Sequence, residues 1–277
     1  MAGAPDTTPP PGRRRGRIRQ QRIAETVAAE LRARILADDP GDGPYRLPTQ
    51  DQLVEEFGVS FPSVREAIRI LETEGLVTVR RGNVGGLETH RPDETSAAYH
   101  LGLVLQGGRV TLRDLAAGLQ LLEPLCAAEC ARRDDRLEVV VPALQASIDA
   151  SAALVGRDVE FTHASREFHD LVVAHTPNAT VRSVVRSLVA LWSAQEEAWA
   201  AARSRRGDYP SEVQADEVVR THRRILDAIR KGRPEAAERV ARQHLAATQS
   251  LVLADAEDGI VDAAVARDRD ASAGGRL

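Results

Sequence analysis

Apolar residues recur at helical intervals through most of this chain, and the one interruption of that rhythm is short. Ile23, Val27, Leu31 and Ile35 are spaced by four, which predicts an amphipathic helix from Ile18 to Ala37. Asp38 to Tyr45, DDPGDGPY, reads as a loop. Thr49 followed by Gln52 is a capping-box start for a short helix with Leu53, Val54 and Phe57 on its apolar side, closed at Gly58. Ser60 is a good N-cap for the next helix and Pro62 suits its first turn, where a missing N–H is harmless. Val64, Ala67, Ile68 and Leu71 line the apolar face of that helix, which Gly75 ends. The pattern then becomes strand-like from Leu76 to Val79 and again from Leu87 to His90, around a turn rich in arginine and glycine.

Residues 93–108 carry a weaker pattern and read as a linker with room for a short helix. Beyond them the strand signals vanish. Thr111 to Asp134 aligns Leu112, Leu115, Leu119, Leu122 and Cys126 on one stripe. Leu137 to Val155, Val159 to His175, Ala179 to Arg205, Glu212 to Lys231 and Pro234 to Ala256 repeat the period between Gly, Pro and Asp breaks. Six helices joined by short connections predict an antiparallel all-α bundle. The fold class is therefore mainly α: a winged helix-turn-helix with a small β-wing, then an all-helical domain. The expected boundaries are a disordered basic arm at 1–16, a first domain at 17–92, a linker at 93–108, the bundle at 109–256 and a flexible tail at 257–277.

Composition sharpens this outline. Among 277 residues 43% are hydrophobic but only 3% aromatic, so the cores must be built from Leu, Val, Ile and Ala, which favours helices. No run approaches the roughly 20 apolar residues of a membrane span, and the N-terminus MAGAPDTTPPPGRRR lacks the apolar core of a secretory signal. A cytoplasmic protein with no membrane partner is expected. The formal net charge of −4 argues against nucleic-acid binding by bulk charge. Charge position matters more: residues 1–92 carry 14 basic and 13 acidic side chains, with Arg13, Arg14, Arg15, Arg17, Arg19 and Arg22 gathered in the arm. Site-directed binding that weakens as salt rises is the expectation. Cys126 and Cys130, the only cysteines, stand one helical turn apart and read as small reduced packing residues, with a metal or redox pair as the lesser alternative.

Two apolar helices around a tight glycine turn form a helix-turn-helix, whose second helix presents its first turn to the base edges of DNA. Here that turn supplies Ser60, Pro62, Ser63 and Arg65, two short donors and a guanidinium able to pair with guanine O6 and N7. The hairpin tip, Arg80, Arg81, Gly82 and Asn83, can approach the backbone or enter the minor groove. Singly, Arg65 is as readily a solvated helix arginine and the tip a plain hairpin; the ordered set is what points to double-stranded DNA. The run LP-x-x-x-x-L-x-x-x-FGVS-x-PSVREAIRILETEGLV followed by VRRGNVGG resembles the winged helix-turn-helix of the GntR family of bacterial transcription regulators. The resemblance implies DNA contacts at Ser60, Ser63, Arg65, Arg81 and Gly82. Asp51 and Phe61 depart from it, standing where many members carry arginine, so the family's operator sequence does not carry over.

His169, His222 and His244 lie on the apolar stripes of three different helices. Each alone is explained by a hydrogen-bonded core position, but inward imidazoles from separate helices of one bundle can converge on a metal. His163 and His175 fall on another face. The segments LLEPLCAAECA, REFHDLVVAHTPN and GRPEAAERVARQHL resemble the FCD domain, the ligand-sensing half of the FadR subfamily within the GntR family. That resemblance implies a divalent metal, Zn²⁺ or Ni²⁺, on His169, His222 and His244, with a small organic acid beside it. The aspartate ligand of that family, four residues before His169, is replaced here by Ser165. Ser165, Arg182, Arg186 and Arg220 are the candidate effector contacts.

The sequence thus reads as a homodimeric, ligand-responsive transcription regulator, a repressor by preference, acting on a pseudo-palindromic operator. Two alternatives stand beside it: a DNA-binding regulator without effector, and a metal-dependent enzyme acting on a small carboxylic acid. For the latter no carboxylate lies at helical reach of His169 on its metal face, although Glu167 and Asp170 are near in sequence, and the chain is read as no enzyme.

Overall fold

Thr49 opens the second helix as its side chains predict. Its hydroxyl accepts from the Gln52 backbone N–H, while Gln52 Oε1 accepts from the Thr49 N–H at 2.9 Å, so two otherwise orphaned donors at the helix start are satisfied. The computed structural model describes residues 12–37, 46–80, 86–90, 94–256 and 259–264. They divide into two units, Met1–Asp93 and Glu94–Leu277.

The first unit contains α1 (Gly12–Ala37), β1 (Arg46–Leu47), α2 (Gln50–Phe57), α3 (Phe61–Thr73), β2 (Val77–Arg80) and β3 (Gly86–Thr89). Gly58 at φ +60° and Gly75 at φ +73° end α2 and α3 in the left-handed conformation that glycine adopts without steric cost. Val27, Leu31 and Ile35 of α1, Leu53 of α2 and Val64, Ile68 and Leu71 of α3 close over Leu76, Val77 and Leu87. β3 is the central strand of an antiparallel sheet ordered β1-β3-β2, with Leu87 opposite both Leu47 and Val79. The sequence pattern shows two of these strands; the third, two residues long, is too short for any period. The first helix begins at Gly12, so residues 12–16 are helical where a disordered arm is expected. Arginine is a good helix former, and no proline follows Pro11 in the run, although Gly16 is unfavourable there. Residues 1–11 and the wing tip at 81–85 lie outside the described residues.

Leu53 is fully buried. Leu53→Ala therefore removes about 2–5 kcal/mol from this unit. Both tryptophans, Trp192 and Trp199, belong to the second unit. In a urea titration the loss appears as an earlier transition in ellipticity while the tryptophan emission transition stays in place.

The second unit is α4 (Glu94–Gly107), α5 (Leu112–Arg132), α6 (Val140–Ala152), α7 (Asp158–Ala174), α8 (Ala179–Arg206), α9 (Glu212–Arg230) and α10 (Pro234–Ala256). α5 packs against α10, α8, α9 and α7, and α7 against α8 and α6, around a core rich in Leu, Val, Ile and Ala with Phe168 and Trp192. Pro124 sits inside α5 and cannot donate to the carbonyl four residues back. Arg242 Nη1 of α10 donates to that carbonyl, at Gln120, so the break becomes a cross-helix bond.

Two expectations need correction. Residues 93–108 are not a linker: α4 occupies 14 of them and packs on α8, with Ala98 buried and Gly102 so close to Leu191 and Ala263 that a Cβ would lie within 3.0 Å of both. Its mixed surface, with Leu103 and Val104 exposed, blurs the apolar stripe. The tail is not free throughout either. The Leu112 N–H donates to Gly259 O, Val261 N–H to Val110 O, and Val261 and Ala263 are buried. Residues 265–277 lie outside the described residues. No helix among the described residues is long and apolar enough to cross a membrane.

Candidate metal centre and nucleic-acid interface

His169 on α7, His222 on α9 and His244 on α10 turn their Nε2 atoms toward one another in the core of the helical unit. The three separations are 3.2 Å between His169 and His222, 2.9 Å between His222 and His244, and 3.3 Å between His169 and His244. All three side chains are buried. Phe168 stacks on His222 with centroids 4.1 Å apart, and the rings of His169 and His244 stack at 5.2 Å, so each imidazole is held in its plane.

The geometry fits a metal. A tetrahedral ion about 2.0–2.1 Å from each nitrogen places neighbouring nitrogens roughly 3.3–3.4 Å apart, close to the spacing here. His169 Nδ1–H donates to buried Glu123, which leaves only a lone pair at its Nε2, and that lone pair faces two other Nε2 atoms. Burial first, then the charge of neighbouring histidines and Arg166, hold His222 and His244 well below the ordinary imidazole range, so both stay neutral and able to ligate. Burial opposes ionisation of Glu123, but its contact with His169 and the charge of Arg166 outweigh it and keep the carboxyl below its usual range.

Glu123 is the carboxylate that local sequence reasoning misses. It comes from α5, 46 residues before His169, and orients that imidazole from outside the cluster. A signal for it exists: glutamate one turn after Leu119 on the otherwise apolar stripe of α5. Arg166 is missed in the same way. It lies on the buried face of α7 between Thr162 and Val173, yet is only 4% exposed.

A cavity of about 60 Å³ adjoins the histidines, walled by Ser165, Arg166, His169, Glu196, Tyr209 and His244, among others. Ser165, where the family pattern has aspartate, faces this space. A wider groove of about 320 Å³ between α9 and α10 shares His244, Gln214, Val218, Thr248 and Leu251 with it. The three arginines named from sequence as effector contacts are elsewhere. Arg182 donates to Thr176 O at 2.6 Å, Arg220 pairs with Glu217 on the exposed face of α9, and Arg186 does not line the cavity. A helical position carrying arginine gives no sign of which way the guanidinium turns. Cys126 and Cys130 are buried thiols, pushed up by burial to about 11 and about 12, as packing residues should be.

In the first unit α3 presents Phe61, Pro62 and Arg65 on its exposed side, with Phe61 45% exposed and Arg65 without a partner among the described residues. Ser60 is the N-cap of α3 but makes no side-chain capping bond; its hydroxyl lies 3.0 Å from that of Ser63. Ser63 is only 2% exposed, so the expectation of a base or phosphate contact there is corrected: its short side chain fills the turn beneath Ser60. Arg80 closes β2 with its side chain outside the described residues, as are Arg81, Gly82 and Asn83 entirely.

A helix-turn-helix with a hairpin, followed by an all-helical unit with an inward histidine cluster, defines a two-part regulator. Residues 23–84 match the model of the bacterial regulatory proteins of the gntR family, and residues 114–247 that of the FCD domain. The chain belongs to the GntR family of bacterial DNA-binding regulators and carries an FCD domain, a family of transcriptional regulators and not of enzymes. It is 27% identical over 249 residues to the HTH-type transcriptional repressor NanR of Escherichia coli K12, covering 87% of this chain and 89% of that one. The repressor of the same name from Enterobacter sp. strain 638 is 27% identical over 239 residues, 84% of this chain and 86% of its own. Among solved structures, a GntR protein of Streptococcus agalactiae shares the fold with a TM-score of 0.58 at 22% identity, over 82% of this chain and 99% of that one.

Proposed function

We propose that this chain is a homodimeric repressor whose grip on DNA is set by a small organic acid bound beside a divalent metal in the helical unit. The observation that carries this reading is the convergence of three buried Nε2 atoms beside a cavity lined by His169, His244 and Arg166, whose Nη2 has no partner among the described residues. His169, His222 and His244 are the ligands, and the donor set of three imidazoles suits Zn²⁺ or Ni²⁺. When bound, the ion supplies a Lewis-acidic centre for a carboxylate, and Ser165 leaves that side open where an aspartate would occupy it. Arg166 replaces Arg182, Arg186 and Arg220 as the anion partner. The relatives named NanR, which are repressors, favour that sign of regulation.

Arg65 is the base reader in this proposal, with Ser60, Pro62 and Phe61 beside it and the wing residues Arg80, Arg81, Gly82 and Asn83 on the backbone or minor groove. Two copies reading one inverted repeat follow from the symmetry of a dimer. Useful control requires the acid to distinguish DNA-bound from free protein by about 1–3 kcal/mol. Fluorescence anisotropy on the fragment upstream of the protein's own gene tests the reading. Arg65→Ala weakens binding roughly 5- to 150-fold, the loss of one good bidentate base contact. An unaltered affinity in that variant, or no binding by the natural chain at low salt, removes α3 as the reader.

A further inference from the structure

Two residues that line the cavity each have a buried polar atom left without a partner. Arg166 Nε donates to Ser193 Oγ at 3.1 Å, but its Nη2 has no acceptor. Glu196 Oε2 lies 3.3 Å from Arg166 Nε, a contact of charges that does not form a hydrogen bond, and it receives no donor. Both residues wall the same space as His169 and His244. A buried donor and a buried acceptor left open cost free energy that native structures rarely leave unrecovered, and a ligand can satisfy both.

The two openings are complementary in kind. Arg166 Nη2 requires an acceptor and Glu196 Oε2 requires a donor. A plain carboxylate answers the first and is repelled by the second. A molecule carrying a carboxylate and, a few bonds away, a hydroxyl or ammonium answers both. The space limits its size: at roughly 10–15 Å³ for each water-sized volume, about 60 Å³ holds a body of some four to six heavy atoms.

Resting on the effector reading above, we infer that Glu196 is a specificity-determining residue, accepting a hydrogen bond from a hydroxyl or amine of the bound acid while Arg166 holds its carboxylate. Acids lacking such a donor leave Glu196 unpaired and bring a second negative charge against it. A site built to pair a donor rejects the analogue without one more strongly than an apolar pocket rejects a missing methylene.

The test is calorimetric titration of the full-length, zinc-loaded protein with propionate, lactate and alanine, which share a three-carbon acid skeleton and differ in the donor. Lactate or alanine binds at least about tenfold tighter than propionate, the scale of a hydrogen bond to a charged group. Which of the two wins tells a hydroxyl from an ammonium. In Glu196→Met the preference collapses toward one. In Glu196→Gln, whose amide oxygen still accepts, it survives, which a purely structural role for Glu196 would not produce. Binding of all three acids without preference, or a preference that persists in Glu196→Met, overturns the inference and leaves the effector reading intact. Failure of every acid to bind overturns both.

Discussion

Glu123→Leu binds Zn²⁺ about 10- to 100-fold more weakly than the natural chain in competition with a chromophoric chelator. The carboxylate accepts from His169 Nδ1 and so fixes the tautomer that aims the Nε2 lone pair at the cluster. Leucine fills a similar volume but offers no acceptor. The Nδ1–H then has nothing to bond, the ring is free to carry its proton on Nε2, and that proton must be displaced before a metal can enter. Glu123→Gln separates orientation from charge. Its amide oxygen accepts the same hydrogen bond, so the tautomer is kept while the negative charge is lost, and the loss of affinity is smaller. Loading with Co²⁺ gives a second readout, because the visible absorption of a tetrahedral site changes with ligand basicity. If Glu123→Leu and the natural chain hold zinc equally well, the carboxylate is a packing residue and the orienting role fails.

Glu123 also marks where sequence reading runs out. The helix-turn-helix was legible because its determinants are local: a capping box at Thr49 and Gln52, glycines at 58 and 75, and an apolar face that repeats within one turn. The histidines were legible as inward-facing because each lies on an apolar stripe of its own helix, and the structure brings all three together. Pairing across helices is another matter. Nothing within α7 says that a carboxylate from α5 will meet His169, or that α8 will set Glu196 and Ser193 beside Arg166. The three arginines named from sequence lie away from the cavity beside the histidines for the complementary reason. A guanidinium on a long stem reaches whichever acceptor is nearest, and for Arg182 that is the end of its preceding loop, at Thr176 O. Arg166 carries the stronger sign of a site, a charged residue on a buried face next to a histidine on the same face. α4 reads as linker because a helix with Leu103 and Val104 turned outward shows no clear apolar stripe, and its burial is fixed by Gly102 against α8 instead.

Stripped of metal by a chelator, the helical unit loses stability as the pH falls below about 6.5, by up to roughly 2–3 kcal/mol per pH unit. His222 and His244 are both held well below the ordinary imidazole value by burial, with the charge of neighbouring histidines and Arg166 acting in the same direction. In the unfolded chain each titrates near 6.5. Below that pH the unfolded state binds more protons than the folded one, so the stability these groups permit is complete above about 6.5 and drains away as pH descends toward their folded-state values. One imidazole contributes up to about 1.4 kcal/mol per pH unit, and two set the upper slope. The groups facing them modulate it. Glu196, raised by burial, gains its proton more readily in the fold and works in the opposite sense, whereas Glu123, held low, adds to the loss only at more acidic pH. Urea titrations followed by Trp192 and Trp199 emission at pH 7.5, 6.5 and 5.5 measure the slope directly. His244→Gln, with one imidazole fewer to protonate, shows about half of it. Zinc acts in the same sense: at one hundred times its dissociation constant it adds about 2.7 kcal/mol, and because protons compete for the same nitrogens the gain shrinks over the same interval. A chelated protein equally stable at pH 7.5 and 5.5 would mean that His222 and His244 take up protons in the fold as readily as in the unfolded chain, and the claim that burial keeps them neutral would fail.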